Sequence, residues 1–309
     1  MTDNFNGLKI GLIGCGRWGR WVLRDLKQLN VTTHVVARSE ISIQNAQKYN
    51  ADHIVSTIGH LDSNYDGYII ASNTISHYEN ILDLLLKKKP IFVEKPLSSS
   101  AAHVKALLDQ PFQEVFIMHK WRYHPGIEKI KDIIEKKELG EVININSRRN
   151  QWGYPHKDVN TIWIHLPHDL SITYHLLGYL PKLKSSQLIK DTSGNITGAH
   201  CILGNRGIST IEHNIYSLSK DRNLKVYFEE GVVEMNDSFS EYLLLKRGKP
   251  GDSSELENIP ISNAMPLEKE IIAFLSYIKD KSRTLHSSLA FEYEISKTIE
   301  QILNPTDYE

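Results

Sequence analysis

The sequence predicts an α/β protein, in which a doubly wound parallel Rossmann sheet precedes an α/β domain with a mostly antiparallel, open-faced sheet. Short apolar runs alternate with helical patterns over the first third of the chain, and a glycine-rich turn follows the first run. After about residue 120 the pattern changes to alternating segments separated by Gly, Asn and Asp. Strand–helix alternation is typical of a parallel sheet, whereas short strands joined by turns are typical of an antiparallel one. We therefore place a first domain at residues 1–119 and a second domain at residues 120–309.

Composition limits the classes of function. The chain has 309 residues, of which 40% are hydrophobic and 24% charged, with a formal net charge of −1. This balance gives no electrostatic argument for nucleic acid or a membrane as the main partner, and no apolar run approaches the ~20 residues of a membrane span. The two cysteines, Cys15 and Cys201, are too few for a disulfide scaffold and fit a reducing compartment. We expect a cytoplasmic protein with a small-molecule substrate.

Apolar runs and helical spacing predict the elements of the first domain. The predicted strands are Leu8–Ile13, His34–Ala37, Tyr68–Ala71, Ile91–Val93 and Val115–Met118. The predicted helices are Trp18–Leu29 and Ser76–Lys88. Parallel strands joined by such helices bind ligands at their carboxyl ends.

The second domain begins with a predicted helix at Ile127–Lys137 and an alternating segment at Val142–Asn150. A further helix is predicted around His168–Leu177, closed by Gly178 and Pro181. The later strand candidates are Ala199–Leu203, Ile208–Ile215, Leu224–Phe228, Val232–Met235 and Tyr242–Leu245, and a last helix is predicted at Leu267–Ile278.

The glycine turn Gly14-x-Gly16-x-x-Gly19 follows a predicted strand and opens an amphipathic helix. Gly14 permits the tight turn, Gly16 lets a pyrophosphate approach the backbone, and Gly19 lets the helix pack closely. The alternative is a glycine-rich turn that binds nothing. Strand, spacing and helix together favour a dinucleotide site.

The end of the second strand bears on the choice of cofactor. An acidic residue about 20 positions after the turn would hold the ribose of NAD, but this strand ends in Ala37-Arg38-Ser39, and the first acid is Glu40. Arg38 and Ser39 could bind a 2′-phosphate that a carboxylate would repel. NADP is therefore favoured over NAD. The alternative is that Arg38 is a solvated loop residue and that NAD binds through other contacts.

The chain also resembles the Gfo/Idh/MocA family (glucose–fructose oxidoreductase, inositol dehydrogenase and rhizopine catabolism) over nearly its whole length. The motifs that carry the resemblance are Ile10–Gly19, Ala71-Ser72-Asn73-Thr74 with His77, Glu94-Lys95-Pro96, Arg122-Tyr123-His124-Pro125, Leu139–Val142, His168–Ile172 and Pro266–Glu270. Glu-Lys-Pro after a strand is the most specific of them. The others are individually weaker, but their order reproduces the plan of the family.

The resemblance implies a site in which Lys95 lies beside the nicotinamide and the substrate hydroxyl. It also implies that His168, on the first helical turn of the second domain, faces Lys95 across a cleft. Oxidising an alcohol by hydride loss releases a proton, and histidine can accept or return it near neutral pH. The residues assigned to the cofactor are Gly14, Gly16, Arg17, Trp18, Gly19, Arg38, Ser39, Ser72, Asn73, His77, Glu94, Lys95, Pro96 and Arg122.

One position departs from the family pattern. The family commonly has an Asp four residues before this histidine, and here that position is Ile164. His165 lies three residues before His168 and could share its helical face, so we count His165 with Lys95 and His168 as a catalytic candidate. The same two histidines with Asp169 could ligate zinc, but we expect no metal because nicotinamide chemistry in this family needs none.

Two aromatic and basic clusters, Lys120–His124 and Arg148–Trp152, suggest where a substrate binds. Along a strand, Arg148, Asn150 and Trp152 would point one way, and Arg149 and Gln151 the other. Aromatic rings pack on sugar faces, and arginine binds phosphate or carboxylate. The alternative for any one of them is sheet packing. The substrate candidates are Lys95, Tyr123, Arg149, Gln151, Trp152 and His168.

These observations favour an NAD(P)-dependent oxidoreductase that acts on a carbinol or ketone of a sugar. The stretch from Ile162 to Ser171 is similar to relatives that work on nucleotide-linked sugars. Two alternatives remain open at this point: a non-catalytic dinucleotide-binding sensor, and a reductase of a non-sugar C=O or C=N substrate. The resemblance also implies a homo-oligomer.

Overall fold

A computed structural model of the chain describes residues 5–61, 64–153 and 158–305. The chain forms two compact units. The first contains the described residues up to Lys120 together with Met265–Tyr293, and the second contains Trp121–Ala264 and the described residues from Glu294 onwards. The domain boundary after residue 119 stays a prediction, and it did not include the return of the later segment to the first unit.

The elements before Lys120 alternate as predicted. In chain order they are β1 (Lys9–Ile13), α1 (Gly19–Gln28), β2 (Thr32–Val36), α2 (Glu40–Lys48), β3 (His53–Val55), β4 (Gly67–Ile70), α3 (His77–Leu85), β5 (Ile91–Glu94), α4 (Ala101–Leu108) and β6 (Val115–Met118). The six strands form one sheet in the order β3-β2-β1-β4-β5-β6, and every pairing is parallel. The strand order reverses between β1 and β4, which is where open α/β sheets bind ligands.

The second unit begins with α5 (Pro125–Glu135), β7 (Val142–Trp152) and α6 (Thr161–Leu177). The strands that follow are β8 (Leu183–Lys190), β9 (Ile196–Leu203), β10 (Ser209–Asn214), β11 (Tyr216–Phe228), β12 (Gly231–Met235), β13 (Tyr242–Arg247) and β14 (Leu256–Pro260). Together with β7 they form an eight-stranded sheet in the order β14-β13-β12-β11-β7-β10-β9-β8, antiparallel except for the pairing of β7 with β10. Two helices complete the chain, α7 (Pro266–Lys279) and α8 (Leu289–Leu303).

The parallel sheet is buried on both faces, as parallel sheets usually are. On one face Leu12 of β1 and Phe92 of β5 belong to a core shared with Leu26 of α1 and Phe274 of α7. On the other face Ile70 and Val93 pack in a core with residues of α3 and α4. The carboxyl ends of β1, β4 and β5 are therefore held on a rigid layer.

The mostly antiparallel sheet has one apolar and one polar face. Ile145, Val226 and Val233 share a core with apolar residues of α5 and α6. On the opposite face polar side chains pair across strands: the Asn146 amide donates to the Thr210 hydroxyl at 2.9 Å, and the Asn223 amide to Glu234 at 2.7 Å. This face corresponds to the predicted open face.

The predicted fold class is confirmed, with corrections to individual elements. The helix carrying His168 begins at Thr161, because the Asn160 side chain accepts hydrogen bonds from the backbone N–H groups of Ile162 and Trp163. The placement of His168 on the first helical turn was therefore wrong, and it lies near the middle of α6, directly after Pro167. The elements β3, α2, α4, β8, β14 and α8 were not predicted. Among the described helices, none combines the length and apolar character that a membrane crossing requires.

Candidate active site

The glycine turn has the geometry that a bound pyrophosphate requires. Gly14 has φ +91°, and a Cβ atom added to it would lie 2.8 Å from the Cα atom of Ser72. A Cβ atom on Gly19 would lie 2.2 Å from the Gly14 carbonyl oxygen, whereas one on Gly16 would meet nothing within 4 Å. Gly14 and Gly19 are therefore packed tightly against neighbouring backbone, whereas the space next to Gly16, near the start of α1, is open. Backbone N–H groups at a helix start favour an anion, so these residues fit a dinucleotide phosphate.

Helix α2, which was not predicted, holds the glycine turn in place through two side-chain hydrogen bonds to Cys15. The Ser42 hydroxyl accepts a hydrogen bond from the Cys15 backbone N–H at 3.0 Å. The Asn45 amide donates to the Cys15 carbonyl oxygen at 2.9 Å. Burial raises the pKa of the Cys15 thiol to about 12, so the thiol stays neutral inside the turn. Ser42 and Asn45 carried no sequence signal, because their role depends on α2.

The end of β2 lies next to the turn in the sheet. Ala37 is buried and its backbone N–H donates to the Val55 carbonyl oxygen at 2.9 Å. Arg38 is exposed, and the Ser39 hydroxyl caps α2 by accepting from the Ser42 backbone N–H at 3.3 Å. Arg17 of the turn is exposed as well. The end of β2 therefore presents the buried Ala37 and the exposed Arg38 where a carboxylate would hold the ribose of NAD.

The loop after β4 is joined to the loop after β5 by His77. The His77 ring is 1% exposed, with Nε2 3.0 Å from the Ser72 carbonyl oxygen and Nδ1 3.0 Å from the Pro96 carbonyl oxygen. The Ser72 hydroxyl accepts from Ser76 at 2.9 Å. His77 therefore holds the two loops together, and a direct contact with the cofactor, like that of Asn73, stays a prediction.

Lys95 follows β5 at the carboxyl edge of the sheet, where Glu94 is the last strand residue and the Lys95–Pro96 peptide is cis. The Glu94 carboxylate accepts a hydrogen bond from the Lys95 backbone N–H. Burial raises the pKa of Glu94, while the charges of Lys95 and Lys120 act in the opposite direction. The Lys120 ammonium lies 4.5 Å from the ring centroid of Trp18, in the glycine turn. The predicted residues of the first unit thus follow the carboxyl ends of β1, β2, β4 and β5.

In the second unit, the two histidine candidates lie on α6. The His168 ring packs edge-on to Trp121, with 6.3 Å between centroids. His165 is 6% exposed, and its ring centroid is 4.5 Å from that of His213. His213 Nδ1 is 2.6 Å from the Arg149 carbonyl oxygen, so it carries the hydrogen, and Nε2 accepts from the Thr161 hydroxyl at 2.6 Å.

Burial lowers the pKa of His213 to about 4, so this ring is neutral at pH 7. His165 therefore packs on a neutral imidazole. The family position at Ile164 is an apolar side chain that is 4% exposed. The Ile164 side chain cannot accept a proton, and the neutral His213 ring carries no charge.

Arg149 and Asp169 form a buried ion pair behind these rings. Arg149 Nε and Nη2 donate to the two carboxylate oxygens of Asp169 at 2.7 and 3.0 Å, and the side chains are 5% and 0% exposed. The Ser147 hydroxyl also donates to Asp169, and the Arg149 guanidinium lies 4.8 Å from the Trp121 ring centroid. The pair links β7 to α6 and supports the tryptophan on which His168 packs.

This pair bears on two earlier interpretations. The Asp169 carboxylate is occupied by Arg149 and Ser147, which removes it from the zinc interpretation, and no cluster of three potential ligands occurs in residues 5–61, 64–153 and 158–305. Arg149 was assigned to the substrate, and its guanidinium is turned towards Asp169 instead. A substrate contact by Arg149 stays a prediction.

The other candidates of the second unit are more dispersed. Arg122 is 7% exposed, its Nε is 3.5 Å from His175 Nδ1, and burial lowers its pKa to about 10. Gln151 accepts a hydrogen bond from Arg222 at 2.5 Å. Trp152 is 68% exposed and packs edge-on to Tyr216. Tyr123 is half-buried. Substrate contacts by Tyr123, Gln151 and Trp152 stay predictions.

Comparison with known proteins gives the following matches. Residues 8–111 match a family model described as an oxidoreductase family with an NAD-binding Rossmann fold. The chain is 29% identical over 185 residues to inositol 2-dehydrogenase from Pseudomonas fluorescens, and 29% identical over 191 residues to the enzyme of that name from Burkholderia vietnamiensis. Each match covers 55% of this chain, and the chain spans about half the length of these relatives (54% and 55%).

Solved structures match almost the whole chain. The chain superimposes with a TM-score of 0.82 on UDP-N-acetylglucosamine 3-dehydrogenase from Acidithiobacillus ferrooxidans, at 16% identity, over 97% of this chain and 98% of the other. A 3-ketoreductase from Actinomadura kijaniata, crystallised with TDP-benzene and NADP, gives 0.81 at 14% identity over 97% and 98%. At such identities the structures show a shared fold.

Proposed function

Because the chain belongs to the Gfo/Idh/MocA family, we propose that it is an NAD(P)-dependent oxidoreductase. It moves a hydride between the nicotinamide and a carbinol or ketone of a free or nucleotide-linked sugar. The observation that carries this proposal is the glycine turn, with open space at Gly16, on the same sheet edge as Lys95 and Pro96, which follow the end of β5 at Glu94. A phosphate-binding turn and a lysine amine thus lie at the carboxyl ends of one parallel sheet. This arrangement suits hydride transfer between a bound dinucleotide and a substrate next to it.

Each candidate has a distinct role in this proposal. The nicotinamide supplies the hydride acceptor or donor when bound. Lys95 holds the substrate oxygen as a cation, and His168 takes the hydroxyl proton in oxidation or returns it in reduction. His165, on the same helix, assists His168 and is not the principal base. Ile164 lies four residues before His168, and the neutral His213 packs on His165.

We propose NADP(H) as the preferred cofactor. The exposed Arg38 follows the buried Ala37 at the end of β2, and the Ser39 hydroxyl lies at the start of α2. Guanidinium groups bind phosphate through paired N–H donors. Among the relatives of similar fold, the 3-ketoreductase was crystallised with NADP and a levoglucosan dehydrogenase with NADH.

A panel of free sugars, inositols and nucleotide sugars, incubated with NADP or NAD and with NADPH or NADH, tests the function. Absorbance of the reduced nicotinamide would be followed in both directions. We expect turnover with at least one sugar, and its loss in Lys95→Ala. The matched control is Lys105→Ala, which removes an exposed lysine of α4 paired with Asp109.

The same panel separates the sensor from the enzyme. The buried Ile164, in place of a carboxylate, is the observation that favours a sensor. Tight binding of the dinucleotide and of a sugar without turnover in either direction would select the sensor. Turnover only with added imines or non-sugar ketones would select the third interpretation.

We also propose a homo-oligomer that forms through the open face of the eight-stranded sheet. Leu218 of β11 is 96% exposed, and Trp152 and Tyr216 are 68% and 59% exposed. Light scattering on the purified chain measures the assembly, and a monomer at micromolar concentration would contradict this part of the proposal.

A further inference from the structure

A buried glutamate on α7 lies behind the Glu94-Lys95-Pro96 segment. The ring of Phe274 stacks on Phe92 of β5, with 4.8 Å between centroids. Four residues further on, Ile278 contacts Gly67, the first residue of β4. Helix α7 therefore runs from the carboxyl edge of the sheet towards its amino edge, opposite to the strands.

This direction places Glu270 next to Glu94. From Phe274, Glu270 is one turn back along α7, about 6 Å towards the carboxyl edge. From Phe92, Glu94 is two residues along β5 on the same face, about 6.6 Å in the same direction. The displacement from Phe274 to Glu270 therefore matches that from Phe92 to Glu94 in length and direction. The charges of Glu94 and Glu270 also interact. The two carboxyl groups are therefore neighbours beneath Lys95.

Glu270 is more deeply enclosed than its neighbour. Its side chain is 1% exposed, and its Oε2 atom has no hydrogen-bond partner within the described part of the chain. The Glu94 carboxylate, in contrast, accepts from the Lys95 backbone N–H. The charged groups that face Glu270 are Glu94 from β5 and Lys120, which follows β6 and stacks on Trp18.

We propose that Glu270 is a positioning residue of the site: it stays neutral and leaves Glu94 as the single carboxylate that orients Lys95. This inference rests on the proposed function, because it assigns Glu270 a task only if Lys95 works on a substrate. Glu270 itself acts through Glu94.

Electrostatics explain which carboxyl keeps the proton. Two neighbouring buried carboxyls do not both ionise readily. Glu94 is attracted by both Lys95 and Lys120, whereas Glu270 has Lys120 alone as a cation and Glu94 as a repelling neighbour. Burial and the Glu94 charge raise the pKa of Glu270 well above its ordinary value. Glu94 therefore ionises first, and Glu270 ionises only when the pH rises through its raised pKa, which adds a second negative charge under Lys95.

Infrared spectroscopy of the protein alone tests the protonation. A protonated carboxyl has a carbonyl stretch that a carboxylate lacks, and the difference between wild type and Glu270→Gln isolates Glu270 from other buried acids such as Asp25. We expect this band at pH 7 and its disappearance as the pH is raised. In Glu94→Gln the band should titrate at lower pH, because the repelling neighbour is gone. Absence of a difference band at pH 7 would overturn the proposal.

Turnover tests the positioning role once a substrate is known. Glu270→Leu should lower kcat about tenfold while KM for the cofactor changes little, because a displaced Lys95 affects the reacting oxygen more than the phosphates. In the wild type, ionisation of Glu270 at alkaline pH should lower turnover. Glu270→Gln, neutral at every pH, should recover most of the loss seen in Glu270→Leu and should lack that alkaline decline. Equal losses from both variants, with unchanged thermal unfolding, would contradict the role. A protein that shows the infrared band but no turnover would contradict the proposed function only.

Discussion

Replacing Asp169 by Asn breaks the buried ion pair that links α6 to β7. Asp169 and Arg149 are 0% and 5% exposed, and two hydrogen bonds of 2.7 and 3.0 Å join them. Removing one partner of such a pair leaves an uncompensated buried charge, which typically costs about 3–5 kcal/mol. We therefore expect the free energy of unfolding, measured by urea denaturation, to fall by about that amount. Turnover should fall as well, because Arg149 supports Trp121, on which His168 packs.

A neighbouring ion pair supplies a matched control. Arg148, the preceding residue on β7, pairs with Glu212 at 3.5 Å, but these side chains are 49% and 38% exposed. Exposed pairs are screened by solvent and contribute about 0–1 kcal/mol, so Glu212→Gln should change stability little. The double variant Arg149→Met/Asp169→Leu should recover part of the loss, because apolar residues of similar volume need no counter-charge. Equal losses in Asp169→Asn and Glu212→Gln would refute the reasoning.

Three further predictions concern the candidate site. Arg38→Ala should weaken NADP(H) about tenfold or more and leave NAD(H) nearly unchanged; fluorescence titration checks this, and equal effects would contradict a 2′-phosphate contact. Lys95→Ala should keep cofactor binding and lose about 10²–10⁴-fold in turnover; near-native turnover on an identified substrate would remove Lys95 from catalysis. His168→Asn should nearly abolish turnover and remove the limb of the pH–rate profile due to the base, while His165→Asn reduces turnover modestly; the reverse order would move the proton route to His165.

The sequence predicted five of the six strands of the first sheet because each is a short apolar run buried in the sheet, such as Ile91–Val93. It did not predict β3, which has three residues, of which His53 is exposed. It misplaced the start of α6, because proline is common in the first turn of a helix and Pro167 directly precedes His168. The Asn160 cap places that start at Thr161, so the proline lies inside the helix.

For the candidate site, local signals identified the glycine turn and Lys95, since both are short motifs at fixed positions relative to strands. Local motifs could not predict the contacts around the histidines, because these contacts join residues that are far apart in sequence. His213 meets Thr161 and Arg149 across more than fifty residues of sequence, and this contact depends on strand register in the second sheet. The sequence likewise could not show that Asp169 is occupied by Arg149, because that pairing appears only once α6 lies on β7.

The cap of α2 links the residue after Arg38 to the backbone of the glycine turn. Ser39 starts the helix whose Ser42 and Asn45 hold the Cys15 backbone, so a substitution at Ser39 acts on the glycine turn through two hydrogen-bonded steps. Aspartate caps a helix about as well as serine, whereas alanine does not. Ser39→Asp is therefore expected to keep the start of α2 and the glycine turn, whereas Ser39→Ala is expected to weaken both. The residue that follows Arg38 is thus constrained by its cap as well as by any ligand.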